Sequence, residues 1–228
     1  MFQNGSLKKK VAIFDLDGVI INSEAIFDIA DTEFFYRRGI HYKREEVISI
    51  VIGKGLREST AILKKIYTLK ESIEGLLEER RKILAEAYAT RIDFMGGFKK
   101  FHTALIEKNI RTCIATASDN ELLAIVDRKL GLSEIFRGKI FTIADVQHKS
   151  KPDPAIFLYA AHRVGAVPDE CVVIEDSPNG ILAAKNADML CIALTTTHAR
   201  DKLNLADVIV DTFHEIHIGE IFTNQSHI

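Results

Sequence analysis

No apolar stretch in this 228-residue chain approaches the roughly 20 residues that a membrane-spanning helix requires. The N-terminal segment has no apolar core of the secretory-leader type, because Asp15 and Asp17 interrupt its one candidate run. Basic excess is missing too. A formal net charge of −2 removes the bulk attraction on which nucleic-acid binding rests. Cysteine is scarce and odd in number: Cys113, Cys171 and Cys191 each sit inside an apolar run. They are expected to be reduced core thiols, which argues against a disulfide framework or a zinc site. No internal repeat or low-complexity segment is present. These absences predict a cytoplasmic protein with neither a membrane nor a nucleic-acid partner. The length suffices for one full core plus a sizeable insertion. The hydrophobic content needs only a core to explain it, so monomer and weak homodimer both stay open.

What the chain does contain is organised around one stretch, Val11-Ala12-Ile13-Phe14-Asp15-Leu16-Asp17-Gly18. A short continuous apolar run bounded by polar and turn residues predicts a central strand of a parallel sheet. Ligands of open α/β sheets bind at the carboxyl ends of such strands, where Asp15 and Asp17 fall. Two carboxylates that close repel, so one is pushed toward its neutral form. The pair makes chemical sense if a cation offsets one acid while the other carries a proton for part of a cycle, as a carboxylate nucleophile beside an acid/base requires. Taken alone the same residues also suit an acidic turn after a strand. Distant partners must decide between the two.

Along the chain, residues 1–9 read as a lead-in, with Lys8-Lys9-Lys10 a solvated strand entrance. Residues 24–38 carry apolar positions at helical spacing, and Gly39 stops that helix. Residues 44–52, 56–67 and 69–88 predict three more helices, and no buried strand is evident from 24 to about 92. Phe34, Phe35 and Tyr88 are expected in the core of this block. After Phe94-Met95-Gly96-Gly97 the pattern alternates. Strands are expected at 111–116, 139–143, 171–174, 189–194 and 207–210, with helices starting at 98, 119, 154 and 178. Alternation of this kind implies an α/β fold with a doubly wound parallel sheet. The domains are then a sheet domain of residues 1–23 and 93–228 and an inserted all-helical domain of residues 24–92. Residues 223–228 read as a frayed tail.

Three more polar clusters lie at or near strand ends. Thr116-Ala117-Ser118-Asp119-Asn120 follows Cys113-Ile114-Ala115, and a hydroxyl with backbone N–H groups at such a place suits a phosphate oxygen. Ser118 is read first as the cap of the helix beginning at 119. Lys151-Pro152-Asp153-Pro154 offers a lysine on a restricted backbone, with Lys149 as a solvated competitor. Glu175-Asp176-Ser177-Pro178 follows Val172-Val173-Ile174 and adds two acids, an oxygen-ligand set for a hard cation. Helix caps explain each cluster singly; the recurrence of four such clusters favours a site.

With these four motifs in this order, the chain resembles the haloacid dehalogenase superfamily, in the subgroup of β-phosphoglucomutase-like phosphatases with a helical cap. The resemblance covers nearly the whole chain. It implies Asp15 as nucleophile and Asp17 as general acid/base, with Thr116, Ala117 and Lys151 on the phosphate. It further implies that Asp15, the carbonyl of Asp17, Glu175 and Asp176 hold Mg²⁺. Family dehalogenases lack an acid at the place of Asp17, so its presence points to an oxygen leaving group that needs a proton. The implied activity is hydrolysis of a small, sugar phosphate-like metabolite through an aspartyl-phosphate. In the helical block Gly53, Lys54 and Arg57 resemble the family's substrate-facing loop, and Asn120 joins them as a substrate candidate. Surface charge at a helix start is the alternative for Lys54 and Arg57.

Where mutases of the subgroup carry a histidine, this chain has Phe27 after Asn22 and Ser23, which favours a phosphatase over a sugar phosphate mutase. Gly96 replaces the family's usual proline before the glycine of the return turn. A non-catalytic metabolite-binding protein on the same fold is the alternative of another class.

Overall fold

The computed structural model describes residues 9–51, 55–118 and 120–222. The expected tail at 223–228, most of the expected lead-in at 1–9, and Gly53 and Lys54 of the expected substrate loop lie outside the described residues. The described chain divides into two compact units. One comprises residues up to Ile21, Phe94–Ser118 and the chain from Gly131 onward; the other comprises Asn22–Asp93 and Asp119–Leu130.

The first unit is built on six parallel strands: β1 (Val11–Phe14), β2 (Arg111–Thr116), β3 (Ile140–Thr142), β4 (Cys171–Glu175), β5 (Leu190–Leu194) and β6 (Val208–Val210). Their order across the sheet is β3-β2-β1-β4-β5-β6, with β1 paired to β2 on one side and β4 on the other. All four residues of β1 and all five of β4 are buried, as continuous apolar strands covered on both faces must be.

The two faces of β1 serve two cores. Val11 and Ile13 pack with Ile156 and Phe157, and with Ile181 and Ala184. The Phe14 ring points the other way, edge-on to Phe98 (5.7 Å), Phe101 (6.2 Å) and Phe136 (5.9 Å). Cys113, Cys171 and Cys191 are free and buried in the strands, as expected. Lys9 and Lys10 do not form the expected solvated entrance. Lys9 is buried and donates from Nζ to Asp169 Oδ1 (2.9 Å), while Lys10 donates to Glu170 Oε1 (2.5 Å), tying the start of β1 to the turn before β4.

The helical elements are α1 (Ser23–Tyr36), α2 (Arg44–Val51), α3 (Leu56–Ile66), α4 (Ile73–Arg91), α5 (Phe98–Glu107), α6 (Asn120–Leu130), α7 (Leu132–Ile135), α8 (Ala155–Arg163), α9 (Pro178–Asn186) and α10 (Ile218–Ile221). The second unit is all-helical, from α1 to α4, and it includes α6 as well, where Arg81 Nε stands 3.7 Å from Glu121 Oε2. Its interior holds Phe34, Phe35 and Tyr88. It also buries Arg80, whose Nε and Nη2 both donate to Asp31 Oδ1 (3.0 and 2.6 Å) and whose Nη1 donates to Ser59 Oγ and Thr60 Oγ1 (3.1 and 2.6 Å). This network ties α1, α3 and α4 together.

Candidate active site

The registers of β1, β2 and β4 bring three of the polar clusters to one end of the sheet. Phe14 pairs with Ile114 on one side and Ile174 on the other, so Asp15, Thr116 and Glu175 all emerge at the carboxyl ends of neighbouring strands. This is the point where strand order reverses about β1, the usual ligand crevice of a doubly wound sheet.

Lys151 joins the cluster from the loop before α8. Its side chain is 8% exposed, and its Nζ donates to Asp15 Oδ1 (2.5 Å) and to Glu175 Oε1 (2.6 Å). The Phe157 ring lies 4.8 Å from the same ammonium. The peptide bond from Lys151 to Pro152 is cis. Lys149 is exposed, as expected of the competitor.

Glu175 has its second oxygen taken as well. Oε2 accepts from the backbone N–H of Asp176 (2.8 Å) and Ser177 (2.9 Å) and from Ser177 Oγ (2.9 Å). Burial works against its charge, but Lys151 and these donors hold its carboxyl below the usual range. Asp15 behaves oppositely. Burial pushes it up from 3.8 to about 7; Lys151 opposes the shift, and Glu175 and Asp17 add to it. Asp176 is also pushed well above the carboxylate range by burial and then by the neighbouring Glu175 and Asp15.

Asp15, Glu175 and Asp176 are all buried and one buried ammonium faces them, so the set carries two negative charges in excess once all three acids ionise. A hard dication fits that excess. Among the described residues no three acidic, histidine or cysteine side chains converge as a ready-made cage. The donor set therefore suits an ion that takes one or two carboxylates and completes its shell with carbonyl, water and phosphate oxygens. Glu175 is the most heavily engaged of the three acids, its Oε2 accepting from three donors.

Asp17 stands at the mouth of the same crevice, and its Oδ2 accepts from Ser118 Oγ. Ser118 thus turns its hydroxyl toward the acid. Its backbone N–H donates to Thr116 Oγ1 (2.9 Å), which fixes the loop after β2 and leaves the threonine proton for another acceptor. Ala117 is exposed in the same loop.

Two glycines let the walls come this close. Gly18 has φ +73°, and a Cβ there would overlap Asp176 Oδ2 and Thr197 Oγ1. A Cβ at Gly180, in the first turn of α9, would overlap the Glu175 carboxylate.

The sequence reading missed the loop after β5. Thr196 Oγ1 donates to the carbonyl of Gly18 (2.6 Å), and Thr195 Oγ1 donates to Asp211 Oδ1 (2.7 Å). The legible signal was a run of three threonines directly after the buried Ile192-Ala193-Leu194. Of the remaining candidates, Arg57 and Asn120 belong to the helical unit. Arg57 is exposed and pairs with Glu74 (3.2 Å), and Asn120 is exposed at the start of α6.

Sheet order, an acidic pair after the central strand and a buried lysine bridging Asp15 to the next strand define a doubly wound α/β protein with a carboxylate-rich site at its switch point. The particular family follows from comparison. The family model of haloacid dehalogenase-like hydrolases matches residues 9–188, and the chain belongs to that family. It is 30% identical over 218 residues to validoxylamine A 7'-phosphate phosphatase of Streptomyces hygroscopicus subsp. limoneus, covering 92% of this chain and 98% of the relative. It is 29% identical over 182 residues to a phosphorylated carbohydrates phosphatase of Thermotoga maritima, covering 78% of this chain and 81% of the relative. A solved haloacid dehalogenase-like protein of unknown function from Agrobacterium tumefaciens superposes with a TM-score of 0.78 at 26% identity, over 91% of this chain and 95% of that one. The chain is an enzyme, a phosphatase of this family.

Proposed function

We propose that the protein is a Mg²⁺-dependent phosphatase of a small, sugar phosphate-like metabolite, working through a phosphate ester formed on Asp15. The observation that carries this reading is the bridge of Lys151 between Asp15 Oδ1 (2.5 Å) and Glu175 Oε1 (2.6 Å). A buried ammonium that close orients the carboxylate, favours its charged form against the effect of burial and leaves its second oxygen for attack. The relatives named for phosphorylated carbohydrates and for validoxylamine A 7'-phosphate support the substrate class.

Asp15, Asp176 and the backbone carbonyl of Asp17 would hold Mg²⁺, with Glu175 beside them adding to the negative charge that the ion offsets. Bound there, the ion would offset the charge shared by the carboxylates and the phosphate.

The residues of this chain then divide the work. Lys151, the Thr116 hydroxyl and the backbone of Ala117 bind and orient the phosphate. Asp15 forms the new bond to phosphorus as the ester bond breaks, and Asp17 gives its proton to the departing oxygen. Water then attacks the phosphorus of the aspartyl-phosphate, Asp17 takes back a proton from it, and phosphate leaves with Asp15 restored. Positioning and charge stabilisation supply most of the rate in such a transfer.

The test is phosphate release from a panel of phosphorylated sugars and other metabolites, with Mg²⁺ and with chelator, the product esters being monitored in the same tubes. Release that needs Mg²⁺ and vanishes in Asp15→Asn is the expected result. Conversion to an isomeric sugar phosphate without release would establish the mutase instead. Wild-type turnover by Asp15→Asn would overturn the mechanism.

A further inference from the structure

We infer that two hydroxyls from separate strand ends, those of Ser118 and Thr196, are positioning residues that hold Asp17 in place for proton transfer to the leaving group. The inference rests on the reading of Asp17 as the acid/base, and it concerns residues that reading does not use.

Asp17 sits on a loop, and a loop carboxylate must be held to be useful, because a misplaced acid loses its reach to the leaving oxygen. The sheet provides the hold from two sides. From the end of β2, Ser118 donates its Oγ proton to Asp17 Oδ2. Ser118 is itself fixed, since its N–H is bonded to Thr116 Oγ1 at 2.9 Å in a turn continuous with a fully buried strand end. From the end of β5, Thr196 donates its Oγ proton to the carbonyl of Gly18, the next residue after Asp17, at 2.6 Å.

Thr196 is anchored in turn. Thr195 beside it is bonded through its backbone N–H to Val210 O (3.0 Å) and through Oγ1 to Asp211. Gly18 has no freedom to drift, because Asp176 and Thr197 close over its α-carbon. The loop bearing the acid is therefore held at its carboxylate by one strand end and at its backbone by another.

The geometry also divides the labour between the two hydroxyls. Ser118 acts on the carboxylate itself, at Oδ2. Thr196 acts only on the peptide behind it. Loss of either leaves the nucleophile, the lysine and the phosphate contacts intact, so the defect falls on the proton transfers of Asp17, and kcat/KM reads the one to the leaving group.

The test uses a series of aryl and alkyl phosphates graded by leaving-group basicity. Ser118→Ala and Thr196→Val are compared with the wild type and with Thr196→Ser. A poor leaving group depends on the acid, so each hydroxyl-free variant should lose about tenfold in kcat/KM there, part of the roughly 10²–10⁴-fold that general acid catalysis supplies in full. Good leaving groups such as p-nitrophenolate should change by no more than about twofold, making the dependence on basicity steeper. Thr196→Ser should restore the wild-type slope.

Equal losses across the series, or none, would overturn the inference, and thermal unfolding of each variant separates a folding defect from either result. If the wild type cleaves aryl phosphates but no sugar phosphate, the substrate class proposed above falls while the slope comparison still reads the roles of Ser118 and Thr196.

Discussion

The Glu175 carboxylate occupies the space beside Gly180 that any Cβ would need. That contact puts the first turn of α9 directly behind the acid, where Ser177 both accepts from Gly180 N (3.1 Å) and donates to Glu175. Gly180→Ala should therefore destabilise the protein by about 1–3 kcal/mol through overpacking. It should also lower turnover, since Glu175 cannot move without losing Lys151. A denaturant titration beside a phosphate-release assay checks both. An unchanged midpoint would show that the loop yields more easily than the contact implies.

Lys151→Met should cost at least about 10²-fold in kcat, the scale of losing one aimed charge donor at a reacting centre. The methionine keeps the packing against Phe157 but leaves Asp15 and Glu175 without their shared cation. Lys151→Arg should not restore the rate, because a planar guanidinium does not place one donor atom against both carboxylates. Steady-state kinetics of the two variants decide the point.

Within the helical unit, Arg80→Met should destabilise by about 3–5 kcal/mol, because it leaves Asp31 buried without its partner. Removing both charges in Arg80→Met/Asp31→Leu should recover much of that loss. Chemical denaturation of the single and double variants measures the coupling. A double variant no better than the single would mean that the hydroxyls of Ser59 and Thr60 depend on the charge as well.

His102 gives a pH dependence of defined sign. It is buried among Phe14, Phe98 and Phe136, with Nε2 3.0 Å from Thr112 Oγ1, and burial lowers its pKa from 6.5 to about 4. The unfolded chain thus binds the proton more readily, and stability falls as pH drops from about 6.5 toward 4, by at most about 1.4 kcal/mol per pH unit. His102→Gln, which keeps a polar group near Thr112, should flatten unfolding free energy against pH over that window. An unchanged slope in the variant would assign the acid sensitivity elsewhere.

The order of elements was legible because periodicity is a local property. The apolar runs at Val11–Phe14, Cys171–Ile174 and Leu190–Leu194 could only be covered strands, and helical spacing marked α1 to α4. Clusters at strand ends followed from the same reading, since a parallel sheet delivers every such end to one side. The partnership of Asp15 with Lys151, 136 positions away, was legible only as a motif order, because no local rule measures that distance.

By itself, then, the sequence determined the parallel sheet, the helical insertion and the acids, lysine and threonine at the strand ends. Tertiary structure decided what each of these groups touches. It turned the Ser118 hydroxyl toward Asp17, and it brought Thr196, 178 residues beyond Gly18, to the carbonyl of that glycine. It also occupied both oxygens of Glu175 and joined α6 to the helical unit. The physical reason is the same throughout. Propensity and periodicity act over a few residues, whereas hydrogen-bond partners and charge pairs are chosen by whichever strand ends the sheet order makes neighbours.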